Sequence, residues 1–260
     1  MRFASLGSGS KGNATVVDCG SARFLLDCGF SIRETERRLE RLGLKATDLS
    51  AVLVTHEHTD HVRGVLPLAK KHRLPVIMTA GTSKAVNPPE NVSLKLIDSH
   101  SPFVYDDVEI TPVSVPHDAR EPVQYVFRHA GVTLGVLTDL GSVTPHVVEQ
   151  FSRCDGLLLE CNHDLEMLQD GSYPPSLKRR IASPWGHLNN EQSLALLDSI
   201  QTAQLQHLVL GHISQQNNAL DIVRRVMRDM ASRISSVHYA RQDEGFSWLE
   251  LVSSPETAGV

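Results

Sequence analysis

Within six positions, His56, His58, Asp60 and His61 offer three imidazoles and a carboxylate, directly after the apolar run Ala51-Val-Leu-Val-Thr55. Such a run reads as a buried strand, so these side chains stand where the backbone leaves a sheet. Alternate residues of an extended segment share a face, which lets His56 and His58 grip one cation. Asp60 and His61 follow the turn into a helix expected from near Val62 and can face a second. The bland alternative is a solvated polar loop, and it leaves so dense a set of ligand-type residues unexplained.

Two cations with four to six ligands each need further protein groups. The chain repeats one design that supplies them. Ile110 to Pro116 is a strand-like run ending at His117, Thr133 to Thr138 another ending at Asp139, and Gln206 to Gly211 a third ending at His212. A carboxylate can bond two metals through its two oxygens, so Asp139 suits the bridging place, with His117 completing one site and His212 the other. A lone His after a strand is more often a satisfied structural group, and here the neighbouring motif favours the ligand reading. Asp27, at the end of Phe24-Leu25-Leu26, either orients a ligand histidine or forms a turn before Gly29.

Two cations about 3.5–4 Å apart activate water and hold the phosphate oxygens of an in-line displacement. No side-chain nucleophile is then needed, and no Gly-x-Ser-x-Gly elbow occurs. The leaving oxygen still needs a proton. His187 and His163, on Gly- or Asn-rich loops, are the candidates, and either could instead be structural. Imidazole and carboxylate without thiolate suit Zn²⁺ or Mn²⁺, with Fe²⁺ also compatible.

The loop Ser8-Gly9-Ser10-Lys11-Gly12-Asn13 has the small residues that bring backbone N–H groups near an anion, although a plain turn fits equally. Lys178-Arg179-Arg180 could meet a strand's phosphates, with Trp185 free to stack on a base, or could be a solvated helix face. Lys70-Lys71-His72-Arg73 needs no role beyond matching a helix dipole.

These residues must be positioned by a mixed fold. Ala14 to Cys19 and Ala22 to Asp27 read as a hairpin through Gly20-Ser21, and Phe103 to Thr138 as a second hairpin-rich stretch turning at Asp106-Asp107 and Ala130-Gly131. Ser31 with Glu34 resembles a capping box opening a helix that Gly43 ends. Later helices are expected over 143–150, 189–200 and 217–232. Strand meanders followed by helices occur roughly twice, which implies two sheets face to face with helices outside, in one domain over 1–260.

At 260 residues the chain buries a full core without disulfides. Its four cysteines form no Cys-x-x-Cys pair and read as reduced core residues. No apolar run has membrane-spanning length and no export signal is visible, so a cytoplasmic place and no membrane partner are expected. A net charge of −5 argues against a general nucleic-acid coat but allows a local contact.

The string His56-x-His58-x-Asp60-His61, with Asp27, His117, Asp139 and His212 in that order, resembles the metallo-β-lactamase superfamily. That resemblance implies an α/β fold of αββα sandwich type with metals at one edge. Leu6-Gly-Ser-Gly-Ser-Lys-Gly-Asn13, Leu159-Glu-Cys-Asn-His-Asp164, Gly186-His-Leu-Asn-Asn190 and Leu210-Gly-His-Ile-Ser214 resemble its WalJ/YycJ subgroup, with Asn189 where Ser is expected. The subgroup implies a 5′ to 3′ DNA exonuclease, with Ser8, Ser10, Asn13 and Ser214 as substrate-binding candidates and Asp60 among the catalytic ones. A small-molecule or cyclic-nucleotide phosphodiesterase is the alternative enzyme. A metal-dependent regulator without activity is the non-enzymatic one, and the fold alone does not choose among them.

Overall fold

The computed structural model describes residues 1–253; the end of the expected 1–260 domain, residues 254–260, lies outside them. Two seven-stranded sheets form. The first holds β1 (Arg2–Gly7), β2 (Ala14–Asp18), β3 (Arg23–Leu26), β4 (Ala51–Leu53), β5 (Val76–Thr79), β6 (Leu94–Ile97) and the last strand, β14 (Phe246–Glu250), in the order β14-β1-β2-β3-β4-β5-β6. The second holds β7 (Phe103–Tyr105), β8 (Val108–Ser114), β9 (Val123–His129), β10 (Val132–Leu137), β11 (Gly156–Glu160), β12 (His207–Gly211) and β13 (Val237–Tyr239), in the order β13-β12-β11-β10-β9-β8-β7.

Both sheets follow one plan. From β14 to β3 and from β7 to β10 the pairing is antiparallel. From β3 to β6 and from β10 to β13 it is parallel. Parallel neighbours need crossovers, and the helices provide them. In the first half these are α1 (Ile32–Arg41), α2 (Thr59–Val62), α3 (Val65–His72) and α4 (Ala80–Val86); in the second, α5 (Pro145–Phe151), α6 (Leu165–Asp170), α7 (Pro175–Ile181), α8 (Asn190–Ser199), α9 (Leu220–Val226) and α10 (Arg228–Ala231).

Alternation along the strands builds three apolar layers. Phe24, Leu26, Tyr125, Phe127 and Leu134 meet between the sheets. Leu25 and Val52 point the other way, onto Leu39 of α1 and Leu68 of α3. Leu157 and Leu159 likewise face Phe151 of α5 and Leu196 of α8. Strands buried on both faces read as unbroken apolar runs, which is why Phe24-Leu25-Leu26 and Leu157-Leu158-Leu159 carry no polar alternation. The α/β sandwich of two sheets with helices outside is therefore the observed fold.

Several boundaries differ from the sequence reading. The expected helix 217–232 starts only at Leu220 and breaks at Met227. Asn218 causes the late start, because its Nδ2 donates to the carbonyls of Cys161 and Asn162 and holds the chain extended through Ala219. At α1, Ser31 accepts from the N–H of Glu34 as expected, but the Glu34 carboxylate pairs with Arg37 and Arg38 instead of closing a capping box. Asn189, the departure from Ser, caps α8 in a full box with Gln192; Asn and Ser are equivalent caps. All four cysteines are buried and free. Burial pushes Cys28 up to about 11 and Cys19 and Cys154 up to about 12.

Candidate metal centre

The strand ends converge on one edge of the sandwich. β4 stops at Leu53, the next residues run irregularly, and His58 is the N-cap of α2, so Asp60 and His61 lie in its first turn. Nε2 of His56 is 3.0 Å from Nδ1 of His58, and Nε2 of His117, beyond β8, is 3.2 Å from the same atom. In three groups the donor atoms all lie within 4.8 Å of one another: His56, His58 and His117; His56, His61 and Asp139; and Asp139, Glu160, His187 and His212. Asp139 belongs to two of these, with one oxygen 3.3 Å from Nε2 of His61 and the other 3.1 Å from Nδ1 of His212.

The parallel strands β10, β11 and β12 end side by side, which lines up Asp139, Glu160 and His212. Turning two of these ends into the cleft takes unusual backbone, Asp139 with φ 54° and His212 with 50°, and Asp27, after β3 of the other sheet, has φ 59°. The left-handed region is uncommon for residues other than glycine, though Asp and His enter it more readily than most.

Oriented hydrogen bonds fix the rings. Asp27 Oδ2 lies 2.8 Å from Nδ1 of His61, which leaves Nε2 free to face Asp139. Asp27 is itself held by the N–H and hydroxyl of Thr55, each at 2.8 Å. His117 Nδ1 is 2.9 Å from the carbonyl of Gly186, so the ring donates there and presents Nε2 as a lone pair. A carbonyl or carboxylate behind a histidine sets which ring nitrogen can ligate.

Electrostatics agree with a cation-binding role. Burial first, and the neighbouring imidazoles second, push His56 well below the ordinary histidine range; burial pushes His117 down to about 4. Both rings are thereby neutral donors near pH 7. Burial works against charge at His61 and Asp139 as well, but without a cation the carboxylates around His61 raise it well above the ordinary histidine range, a proton that a metal ion at Nε2 would displace, and His212 and His61 hold Asp139 well below its usual range. Oδ2 of Asp139 and Nδ1 of His212 are buried without a hydrogen-bond partner. Buried polar atoms are rarely left so, and a divalent cation would satisfy both. The nitrogen and carboxylate donors fit such an ion.

A cleft of about 420 Å³ opens over this centre, lined among others by His58, Asp60, Asp139, His187, His212, Ser10 and Ser214. Asp60 is outside the three donor groups, with Oδ2 3.6 Å from Nε2 of His61. Its neighbour is Asn13, whose Nδ2 is 3.3 Å from that oxygen and 3.0 Å from Nε2 of His61. Asn13 and Ser8 are buried and occupied internally, Ser8 accepting from the N–H of His212, so neither faces the cleft. As a cradle of backbone N–H groups for an anion their loop is largely spent, because the N–H groups of Ser8, Gly9, Lys11 and Gly12 are already bonded within the protein. His163 is 1% exposed with both ring nitrogens unpartnered and does not line the cleft, which removes it from reach of a leaving group. His187 does line it.

Sequence reasoning gave no role to Glu160, Thr55, Asp118 or Tyr173. Glu160 Oε2 lies 3.1 Å from Nδ1 of His187, and its other oxygen accepts from the N–H groups of Leu140 and Leu188. Burial opposes charge on His187, but Glu160 outweighs it and holds the ring up at about 9. The strand-end rule that selects Asp139 applies equally to Glu160. Asp118 follows His117 and pairs with Arg180 of α7, which occupies one expected phosphate contact with an internal carboxylate. Tyr173, Leu177 and Ile181 form an apolar wall of the cleft; Trp185, 59% exposed, stands outside it. Lys71 and His72 bond Glu36, a specific contact where a helix-dipole role is the expectation.

The family described as beta-lactamase superfamily domain matches residues 22–213. Exodeoxyribonuclease YycJ of Bacillus anthracis is 34% identical over 86% of this chain and 86% of its own length. Exodeoxyribonuclease WalJ of Streptococcus pneumoniae is 31% identical over 99% of this chain and 96% of its own. Among solved structures, the metallo-beta-lactamase fold protein YhfI of Bacillus subtilis aligns over 95% of this chain and 98% of that one, with a TM-score of 0.72 at 17% identity, which speaks to the fold alone. By sequence match, architecture and the order of its strand-end residues, the chain belongs to the metallo-β-lactamase superfamily, within the group that holds the YycJ and WalJ proteins.

Proposed function

We propose that the chain is a binuclear metal-dependent phosphodiesterase acting on DNA, a 5′ to 3′ exonuclease of the WalJ/YycJ type. The observation that carries this reading is the convergence of three imidazole and carboxylate donor groups, two of them sharing Asp139, beneath an open cleft. Relatives named exodeoxyribonuclease, at 31–34% identity over most of the chain, support the choice of nucleic acid over other substrates. The apolar wall of Tyr173, Leu177 and Ile181 beside the carboxylates suits a base next to a phosphate.

In this reading His56, His58 and His117 would hold one cation and Asp60, His61 and His212 the other, with Asp139 available to both. Bound there, Zn²⁺ or Mn²⁺ would supply Lewis acidity, making water nucleophilic near neutral pH and offsetting phosphate charge. Asp27 and Gly186 keep the ligand rings aligned. His187, charged beside Glu160 and open to the cleft, delivers the proton to the leaving oxygen. The buried, unpaired thiols suit a reducing compartment such as the cytoplasm.

Purified protein supplied with Mn²⁺ or Zn²⁺ and end-labelled DNA tests the reading. Mononucleotides released progressively from the 5′ end are expected. DNA and RNA left intact while bis-p-nitrophenyl phosphate is turned over would replace it with a small phosphodiester hydrolase.

A further inference from the structure

Beside the catalytic cleft a second depression is lined by Ser10, Lys11, Gly29, Thr59, Asp60 and Arg63. Ser10, Thr59 and Asp60 line both, so the two adjoin as one trough that leads from the candidate metal centre past Asp60. On the cleft side, the guanidinium of Arg180 is engaged by Asp118. On this side Lys11 and Arg63 are exposed, and neither has a salt-bridge partner among the described residues. In a chain of net charge −5, two uncompensated cations at the mouth of a cleft lined by Asp60 and Asp139 stand out as a local anion site.

The backbone that carries both side chains is held in a firm frame. The loop carrying Lys11 is clamped by Gln242, whose Oε1 accepts from the Lys11 N–H and whose Nε2 donates to the Gly12 carbonyl, each at 2.8 Å. Arg63 caps α2, the helix that carries Asp60 and His61. Between them Gly29 lies against the Asp60 carbonyl so closely that a Cβ would overlap it, which ties loop and helix together. The two side chains thus spring from backbone held at a fixed offset from the candidate ligands.

We propose that Lys11 and Arg63 seat the backbone phosphate of the nucleotide flanking the cleaved linkage, so that the substrate is a strand lying along the trough and not an isolated ester. This rests on the phosphodiesterase reading above and specifies its substrate. A free phosphate would meet the same two charges but gains nothing from their continuity with the cleft; a strand reaches both at once.

The test uses metal-loaded protein and a hydrolysis-resistant phosphorothioate single strand, with binding followed by anisotropy from low to moderate salt. Lys11→Gln with Arg63→Gln is expected to weaken binding about tenfold and to flatten the salt slope by about 0.7, the value for one single-strand phosphate. Lys70→Gln, an exposed charge elsewhere, controls for net charge and should leave the slope unchanged. The double variant should also lower oligonucleotide cleavage about tenfold relative to bis-p-nitrophenyl phosphate, a ratio that general misfolding would not move. Wild-type slope and affinity retained in the double variant would overturn this seat and leave the nuclease reading standing. Wild-type protein that binds inorganic phosphate but no strand would overturn both.

Discussion

His117 Nδ1 donates to the carbonyl oxygen of Gly186 at 2.9 Å, which ties a candidate metal ligand to the loop that follows the wall of the cleft. Gly186 has no room for a side chain, since a Cβ would overlap the carbonyl oxygens of Arg180 and Ile181. The N–H of His187 also donates to the Ile181 carbonyl, at 2.9 Å. Candidate ligand, proposed proton donor and wall are therefore packed and bonded as one unit. Gly186→Ala should cost about 1–3 kcal/mol of stability through overpacking and lower metal affinity at the same time. Denaturant titration and metal competition on one preparation check this; a destabilised protein with unchanged metal affinity would uncouple the two.

Asp27 reaches the centre through His61. Asp27→Asn keeps the shape and tolerates the φ of 59°, but replaces a charged acceptor with a neutral one. A metal-affinity loss of about 10- to 100-fold is expected, as for other partners standing behind ligand histidines. Competition against a chromogenic chelator reads it directly, with circular dichroism to verify the fold.

His187→Gln removes the proposed proton donor while leaving the ring's position filled. A fall in kcat of about 100- to 10,000-fold on a nucleotide leaving group is expected. With p-nitrophenol, which leaves readily as an anion, the loss should be far smaller. Equal losses on both would make His187 structural.

Acid should destabilise the metal-free protein within a defined window. Burial pushes His117 and His163 down to about 4, against an ordinary 6.5. Between those values the unfolded chain binds protons that the folded chain refuses, so stability falls as pH drops from 6.5 to 4. His61 and His187, raised in the folded state, contribute stability that is fully present below 6.5 and so add no slope there. Asp139, depressed below 3.8, loses its contribution only under more acid conditions. His163→Gln should make the slope shallower by up to one proton, about 1.4 kcal/mol per pH unit. Urea midpoints in chelator across this range give the answer.

How far the sequence could be read follows from where each signal lies. His56 to His61 carry four candidate ligand side chains in one short stretch, and β8, β10 and β12 each deliver one more candidate at a visible strand end. Local pattern was enough for these, and for the doubled sheet plan. It was not enough for the loop around Ser8, because whether a glycine-rich N–H faces solvent or Gln242 depends on a residue more than two hundred positions away. His163 and His187 look alike in sequence; only packing buries one and opens the other. Glu160 could have been found by the strand-end rule, whereas the Asp118 to Arg180 pair depends on how α7 folds over the cleft.

Metal content joined to anomalous diffraction probes the centre most directly. Crystals grown with Mn²⁺ or Zn²⁺ should hold two cations per chain on either side of the Asp139 carboxylate, one against His56, His58 and His117 and one against Asp60, His61 and His212, and Asp139→Asn should lose at least one of them. A single cation, or cations bound away from Asp139 in protein that still degrades DNA, would contradict the binuclear centre.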